Sequence, residues 1–405
     1  MRGKLFVNKK MWPEAGLFFK LAQSFIENAE MAPNEVPPKD DPVWEKIKAW
    51  ATHHEFGPFF YTVLKRSLAS IPPDLESCLK SSFYMTAIKA QNSWEVFLSI
   101  AKAFQARGIC LAPIKGVALL AGVYKDRPCR SMADIDILVK EEEFAEARKL
   151  LLGLGYEEDL GGLREAYWLQ QHCEMTFTKK TQTGKQSLDV HFRLDVKRPQ
   201  AAPLPHLWER TKETATKGSV IRELSPEDQL FCLALHQRRF GGRAFCLKNV
   251  FDVAMILKAF GDIFDWDYVV REAGAGKMRA TTFFILSQAR SFFNAEVPEK
   301  VWAGLVTPHY KKRMAERLIN NHGPFPCGAE KSKELFFRMQ FVFFDGFWEP
   351  VLNLSRIPIE QFAKYYGLDP YTKRTEHLYH CRLLYGLYRL VFENERLLRH
   401  AKGRA

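Results

Sequence analysis

The stretch that decides the fold is Asp134-Ile135-Asp136-Ile137-Leu138-Val139, about one third of the way along the 405-residue chain. Its apolar residues are β-branched or leucine, which is typical of a short buried strand. The apolar run at residues 109–114 predicts an earlier strand, and Lys115-Gly116 separates it from a helix-like segment at residues 117–124. Residues 141–154 carry apolar side chains at helical spacing, and Gly155 follows them as a helix end.

Two more strands complete this central block. Residues 175–178 and 188–194 read as strands, and Thr183-Gly184 supplies turn chemistry between them. The resulting order is strand, helix, strand, helix, strand, strand, which predicts an α/β or α+β core.

Both flanks of the core have helical patterns. Apolar residues recur on one helix face between Trp94 and Phe104. Ser225-Pro226-Glu227-Asp228 is a helix start, with serine as N-cap, proline in the first position and two acids in the first turn. We therefore expect an N-terminal helical region, the core and a C-terminal helical region, at residues 1–108, 109–205 and 206–405.

Composition and charge exclude several classes of protein. An apolar share of 47% and an aromatic share of 13% do not fit a disordered chain. No apolar run reaches the roughly 18 residues of a membrane span, and the eight cysteines form no CxxC pair, so a reducing cytoplasm is the simplest expectation. Lysine and arginine number 59 against 47 acidic residues, a net charge of +12.

Two C-terminal stretches supply much of this excess. Residues 373–405 hold eight basic residues against three glutamates, and residues 311–317 hold four against one. Such stretches could bind nucleic acid or another polyanion. A solvated helix face is the simpler interpretation, because the sign of the charge names no partner.

The pair Asp134 and Asp136 is the most informative chemical feature of the sequence. Residues i and i+2 of a strand point to the same side, and two adjacent carboxylates repel each other. A divalent cation such as Mg²⁺ removes that penalty. Asp189, in the later strand, would add a third carboxylate if the strands are neighbours, giving a site suited to phosphoryl or nucleotidyl transfer. The alternative is a solvated strand face.

The neighbouring residues favour the phosphate interpretation. Lys115 and Gly116 lie at a strand-to-helix junction, where free amides and a lysine can hold phosphate. Arg130 and Ser131 precede the acid pair and could reach the same phosphates. His191 shares a strand face with Asp189, so it either contacts phosphate or acceptor or holds Asp189 in place. Glu174, before the third strand, could add a further carboxylate, but we expect it to lie in a surface loop.

These residues resemble a known family, the uncharacterised nucleotidyltransferases of the polymerase-β-like superfamily. The resemblance covers roughly residues 40–260 and includes the later acidic strand and the helical part around Asp252. The segments that carry it most specifically are Ile114–Leu120, Tyr124, Arg130-Ser131, Asp134–Val139, Gly155-Tyr156 and Leu188–His191.

The resemblance implies an α+β fold with a small mixed sheet, in which Asp134, Asp136 and Asp189 ligate Mg²⁺ or Mn²⁺. An acceptor hydroxyl, deprotonated with help from Asp189, would attack the α-phosphate of a nucleoside triphosphate such as ATP and release pyrophosphate. The nucleotide-binding residues would be Lys115, Gly116, Arg130, Ser131 and His191. The acceptor, a small molecule, protein or RNA, is left open.

One departure from the superfamily pattern supports an alternative. The position after Gly116, where relatives carry a phosphate-binding serine, is Val117. The core would then be catalytically silent, and the basic C-terminal helices would bind nucleic acid or an acidic partner.

Overall fold

The structure is a computed structural model that describes residues 15–124, 129–181, 184–196, 204, 206–216, 218–239, 247–322, 333–355, 358–382 and 384. Four helices precede the sheet: α1 (Ala15–Glu27), α2 (Val43–His53), α3 (Gly57–Arg66) and α4 (Pro73–Gln105). The helix predicted around Trp94–Phe104 is the second half of α4. The chain turns after it at Gly108, whose φ of 68° lies in the left-handed region.

The central block alternates strands and helices as the sequence predicts. Its elements are β1 (Leu111–Pro113), α5 (Lys115–Gly122), β2 (Ile135–Val139), α6 (Phe144–Gly153), β3 (Glu157–Asp159), α7 (Glu165–Gln171), β4 (Glu174–Thr181) and β5 (Gly184–His191). β3 was not predicted, because Glu157–Asp159 is acidic and has no apolar residue to mark a strand.

The strands form one mixed sheet in the order β1-β2-β5-β4-β3. β2 pairs in parallel with β5, and β5 pairs antiparallel with β4. β1 and β3 complete the sheet as antiparallel edge strands. The expected α+β fold with a small mixed sheet is confirmed.

A separate hairpin follows the sheet, formed by β6 (Lys212–Thr216) and β7 (Ser219–Glu223). It lies in the region expected to be helical, so that expectation was wrong for these residues. The segment Lys212–Thr216 is polar and only partly buried, and its pattern gives no strand signal. The hairpin is fixed to α4, because the Val220 amide donates to Gln105 Oε1 at 3.1 Å.

The rest of the described chain is helical. Its elements are α8 (Pro226–Arg239), α9 (Leu247–Phe260), α10 (Trp266–Ala275), α11 (Arg279–Phe293), α12 (Glu299–Gly304), α13 (His309–His322), α14 (Lys333–Phe343), α15 (Glu349–Ser355), α16 (Ile359–Tyr366) and α17 (Lys373–His380). Short 3-10 helices lie at Pro33–Glu35, Glu141–Glu143 and Gly261–Ile263. α8 begins at the predicted cap, because the Asp228 amide donates to Ser225 Oγ. None of the described helices is long and apolar enough to cross a membrane.

Helices from both flanks share one hydrophobic core. The ring of Phe19 in α1 stacks on Phe292 in α11 at 5.2 Å, and Phe56 contacts Phe251 in α9 at 5.1 Å. A second core lies between the sheet and the second half of α4, where Phe97 and Phe104 are fully buried. The division at residues 108 and 205 stays a prediction, and the flanks pack together around this shared core.

One of the basic stretches is partly internal. Lys311 in α13 is only 2% exposed, and its ammonium donates to the carbonyls of Phe341 and Phe344. The expectation of a solvated face is therefore wrong for this lysine, although Arg313 and Arg317 are exposed. Residues 385–405, which hold much of the other basic stretch, lie outside the described residues.

Candidate active site

Three aspartates meet where β2 and β5 run side by side. The parallel register places Asp136 opposite Asp189, and Asp134 directly precedes β2. Burial, with the charges of Asp136 and Asp189, raises the pKa of Asp134 to about 6. Burial also raises the pKa of Asp189, and Glu174 and Asp136 add to this rise. The structure thus brings the three predicted carboxylates together, and their catalytic roles stay predictions.

Asp136 is neutralised by two cationic partners. Lys115 Nζ lies 2.6 Å from its Oδ1 atom, and His191 Nε2 lies 3.1 Å from the same oxygen. Burial alone would raise the pKa of Asp136, but Lys115 and His191 outweigh it and hold that pKa well below its usual range. Lys115 begins α5 with a φ of 52°, in the left-handed region that residues other than glycine rarely adopt. The Lys115 ammonium, predicted to bind phosphate, binds the Asp136 carboxylate in this structure.

His191 joins Asp136 to a fourth carboxylate. The imidazole is 1% exposed, and its Nε2 atom lies 3.0 Å from Glu174 Oε2. Burial and Lys115 lower the pKa of His191, but Glu174 and Asp136 outweigh them and raise it to about 10. The surface loop expected at Glu174 was wrong. This residue is buried and begins β4, where antiparallel pairing puts it opposite His191.

A second group of potential metal ligands lies beside the aspartates. The ligand atoms of Cys173, Glu174 and His191 are all within 4.8 Å of one another. However, the imidazole already contacts two carboxylates, and the Lys115 ammonium is 3.3 Å from its Nε2 atom. A metal bound to the Nε2 atom at this trio would have to displace these contacts.

The other residues predicted to contact nucleotide are Gly116, Arg130 and Ser131. Each of them packs against or binds another part of the protein. A Cβ added at Gly116 would lie 2.7 Å from the Met132 sulfur, so the Met132 side chain would have to shift to accommodate any other residue here. Val117 is fully buried in the sheet core. Arg130 is also buried and binds Asp252 of α9, with Nη2 at 2.7 Å from Oδ2.

Ser131 lies on the more exposed side of the site. Its hydroxyl donates to Glu55 Oε2 at 2.8 Å. Lys248, the second residue of α9, pairs with the same carboxylate, and its Nζ atom is 3.5 Å from Ser131 Oγ. Sequence reasoning missed Glu55 and Lys248. Lys248 precedes Asp252 by one helical turn, and this spacing is the signal that could have found it.

Gln229 was missed as well, although it closes the strand-to-helix junction. Its Oε1 atom accepts a hydrogen bond from the Lys115 amide at 3.3 Å, and its Nε2 atom donates one to the carbonyl of Pro113 at 3.3 Å. The first amide of α5, expected to be open for phosphate, therefore has a protein partner.

The aspartates suit a hard divalent cation. Asp134 and Asp189 are half-buried acids, and burial together with the neighbouring carboxylates raises their pKa values. Among the described residues, hydrogen bonds reach only the Oδ1 atom of Asp136, which leaves Oδ2 for a further ligand. Oxygen ligands on adjacent positions match Mg²⁺ or Mn²⁺ chemistry.

Comparison with known proteins agrees with the resemblance seen in the sequence. A search of curated proteins found no match. A family model described as an uncharacterised nucleotidyltransferase matches residues 40–294, which is more than half of the chain and reaches from α2 to the end of α11. The chain therefore belongs to this uncharacterised nucleotidyltransferase family.

Proposed function

We propose that the chain moves a nucleoside monophosphate from a nucleoside triphosphate to a hydroxyl acceptor and releases pyrophosphate, with Mg²⁺ or Mn²⁺ as cofactor. The observation that carries this proposal is the register of β2 and β5, which sets Asp136 beside Asp189 with Asp134 two residues away. Family membership supports nucleotidyl transfer in general. The metal, the donor and the acceptor are our extension of it.

The metal would be held by Asp134, Asp189 and the Oδ2 atom of Asp136. When bound, it would neutralise the phosphate oxygens and stabilise the charge that develops during transfer. Lys115 and His191 fix the orientation of Asp136 by binding its other oxygen. These buried contacts hold a ligand carboxylate in place before substrate arrives.

In our proposal, Asp189 accepts the proton of the acceptor hydroxyl. Thr176 Oγ1 donates to its Oδ1 atom at 2.7 Å, which orients the carboxylate. The hydroxyl oxygen would attack the α-phosphate as its proton passes to Asp189, and the bond to the departing pyrophosphate would break.

Equilibrium binding of each of the four ribonucleoside triphosphates, with and without Mg²⁺, tests the proposal. We expect metal-dependent binding that Asp134→Asn weakens at least tenfold, since one ligand charge is lost. Asp262→Asn is the matched control, because Asp262 is exposed and lies in a short helix between α9 and α10. Equal binding by wild type and Asp134→Asn would reject the metal site.

The acceptor requires a different experiment. Cell extract incubated with labelled triphosphates and the protein should contain one species that gains a nucleotide, detectable by mass spectrometry. That species should be absent when Asp134→Asn replaces wild type. Labelling that persists in the variant would show that the three aspartates are not the site of transfer.

Two observations favour the silent alternative named above. Lys115 already neutralises Asp136, and Val117 is buried where a phosphate-binding serine would stand. Under this alternative the protein would bind nucleic acid with steep salt dependence, because released counterions drive such binding. Asp134→Asn would not change that affinity. Absence of binding at low salt would exclude the alternative.

A further inference from the structure

A nucleoside triphosphate carries several negative charges on its β- and γ-phosphates, and a protein site commonly supplies a lysine or arginine for them. The three cationic groups that the sequence offered are already committed. Lys115 and His191 bind Asp136, and Arg130 binds Asp252. All three are at most 8% exposed. The cation that meets the triphosphate tail must therefore come from elsewhere.

Lys248 has the right surroundings for that role. Its side chain is 18% exposed, and its partner Glu55 is 47% exposed, so their ion pair lies at the surface of the site. Exposed ion pairs are weak and are readily exchanged for a better anion. A polyphosphate, with more charge and more acceptor oxygens than one carboxylate, is such an anion.

The position of Lys248 relative to the aspartates is also suitable. Its ammonium is 3.5 Å from Ser131 Oγ, and Ser131 stands three residues before Asp134. The lysine thus lies beside the segment that leads into Asp134, the first of the proposed metal ligands.

A buried contact of α9 positions Lys248 beside the segment that precedes β2. Four residues further along the helix, Asp252 binds Arg130, which belongs to the segment just before β2. Tyr124 donates to the same carboxylate at 3.0 Å. This buried contact ties the start of α9, where Lys248 lies, to the segment that carries Ser131 and Asp134.

We propose that Lys248 and Ser131 bind the β- or γ-phosphate of the triphosphate, and that Glu55 holds Lys248 in place until the nucleotide displaces it. This inference rests on the proposed function. It assigns opposite effects to the two members of one ion pair. Lys248 contributes to triphosphate affinity, and Glu55 opposes it, because its carboxylate competes for the lysine and repels phosphate.

The test measures equilibrium binding of the full-length chain to ribonucleoside triphosphates and to the corresponding monophosphates, in Mg²⁺. Loss of one charge-assisted contact predicts that Lys248→Met weakens triphosphate binding about tenfold to a hundredfold. Monophosphate binding should change little, because it has no β- or γ-phosphate. Lys248→Arg should retain most of the triphosphate affinity, and Glu55→Gln should increase it.

Lys300→Met is the matched control, because Lys300 forms an exposed ion pair with Asp267 on other helices. If the Lys248–Glu55 pair is merely structural, Lys248→Met and Glu55→Gln will change affinity in the same direction or not at all. That result overturns the inference.

The two proposals fail in different ways. If wild type binds triphosphate, Asp134→Asn weakens binding and Lys248→Met does not, only the role of Lys248 is overturned. If wild type binds no triphosphate with either Mg²⁺ or Mn²⁺, both proposals are overturned.

Discussion

Removing the carboxylate of Asp252 should destabilise the protein by about 3–5 kcal/mol, the usual cost of breaking a buried ion pair. The side chains of Arg130 and Asp252 are 6% and 0% exposed. Arg130 makes contacts of 3.0, 3.0 and 2.7 Å to the two carboxylate oxygens, and Tyr124 donates to one of them at 3.0 Å. In Asp252→Ala the guanidinium stays charged and buried without this partner.

The individual contacts do not simply add to a larger figure. Hydrogen bonds to a charged group contribute about 1.5–3 kcal/mol each, but these four share one carboxylate and are lost as a unit. The buried-pair range is therefore the better estimate. Urea unfolding followed by circular dichroism measures the difference in the free energy of unfolding.

Two variants make the measurement decisive. Arg130→Met with Asp252→Leu removes both charges and should recover most of the lost stability. Asp262→Asn, at an exposed position, should stay within about 0.5 kcal/mol of wild type. A loss below about 1 kcal/mol in Asp252→Ala, or a double variant no more stable than the single one, would refute the reasoning.

Three further predictions concern the framework of the site. Gly116→Ala should cost about 1–3 kcal/mol, because its new Cβ would lie 2.7 Å from the Met132 sulfur, and Met132→Ala should relieve part of the loss in thermal unfolding. Ser225→Ala should cost about 0.5–2 kcal/mol in the same assay, since the Asp228 amide loses its capping hydrogen bond. An unchanged melting temperature would show that this cap does not stabilise α8. Burial lowers the pKa of Lys311 from 10.5 to about 8, so between these values the unfolded state binds more protons and stability should rise with pH. Lys311→Met should flatten that rise in urea unfolding between pH 8 and 10.5, and an equal slope in both proteins would contradict the shift.

The sequence was sufficient to predict the parts of the site that depend on local pattern. Alternating apolar residues around Asp134 and Asp136 predicted a strand, and the similar run at Asp189 predicted a second one. That the two strands would be neighbours was an assumption, and the parallel pairing of β2 with β5 supports it. The helix start at Ser225 followed from capping chemistry alone and is confirmed.

Which cation meets which carboxylate could not be predicted in the same way. Lys115 and Arg130 both stand near the aspartates in sequence, and both were expected to bind phosphate. Packing of a distant element gives Arg130 a protein partner, because Asp252 comes from α9 and meets it across 122 positions. Glu174 was misplaced for a related reason, since its burial depends on pairing with His191 and not on its own polar surroundings.

The most direct test of the central claim is the position of Mn²⁺ in a crystal of the protein grown with Mn²⁺ and a non-hydrolysable triphosphate. Anomalous scattering locates the ion independently of any assumed ligand. Our account predicts a peak at coordination distance, about 2.0–2.2 Å, from carboxylate oxygens of Asp134 and Asp189, with the triphosphate beside it. A peak at Cys173 and His191 instead, or none near the three aspartates, would contradict the account.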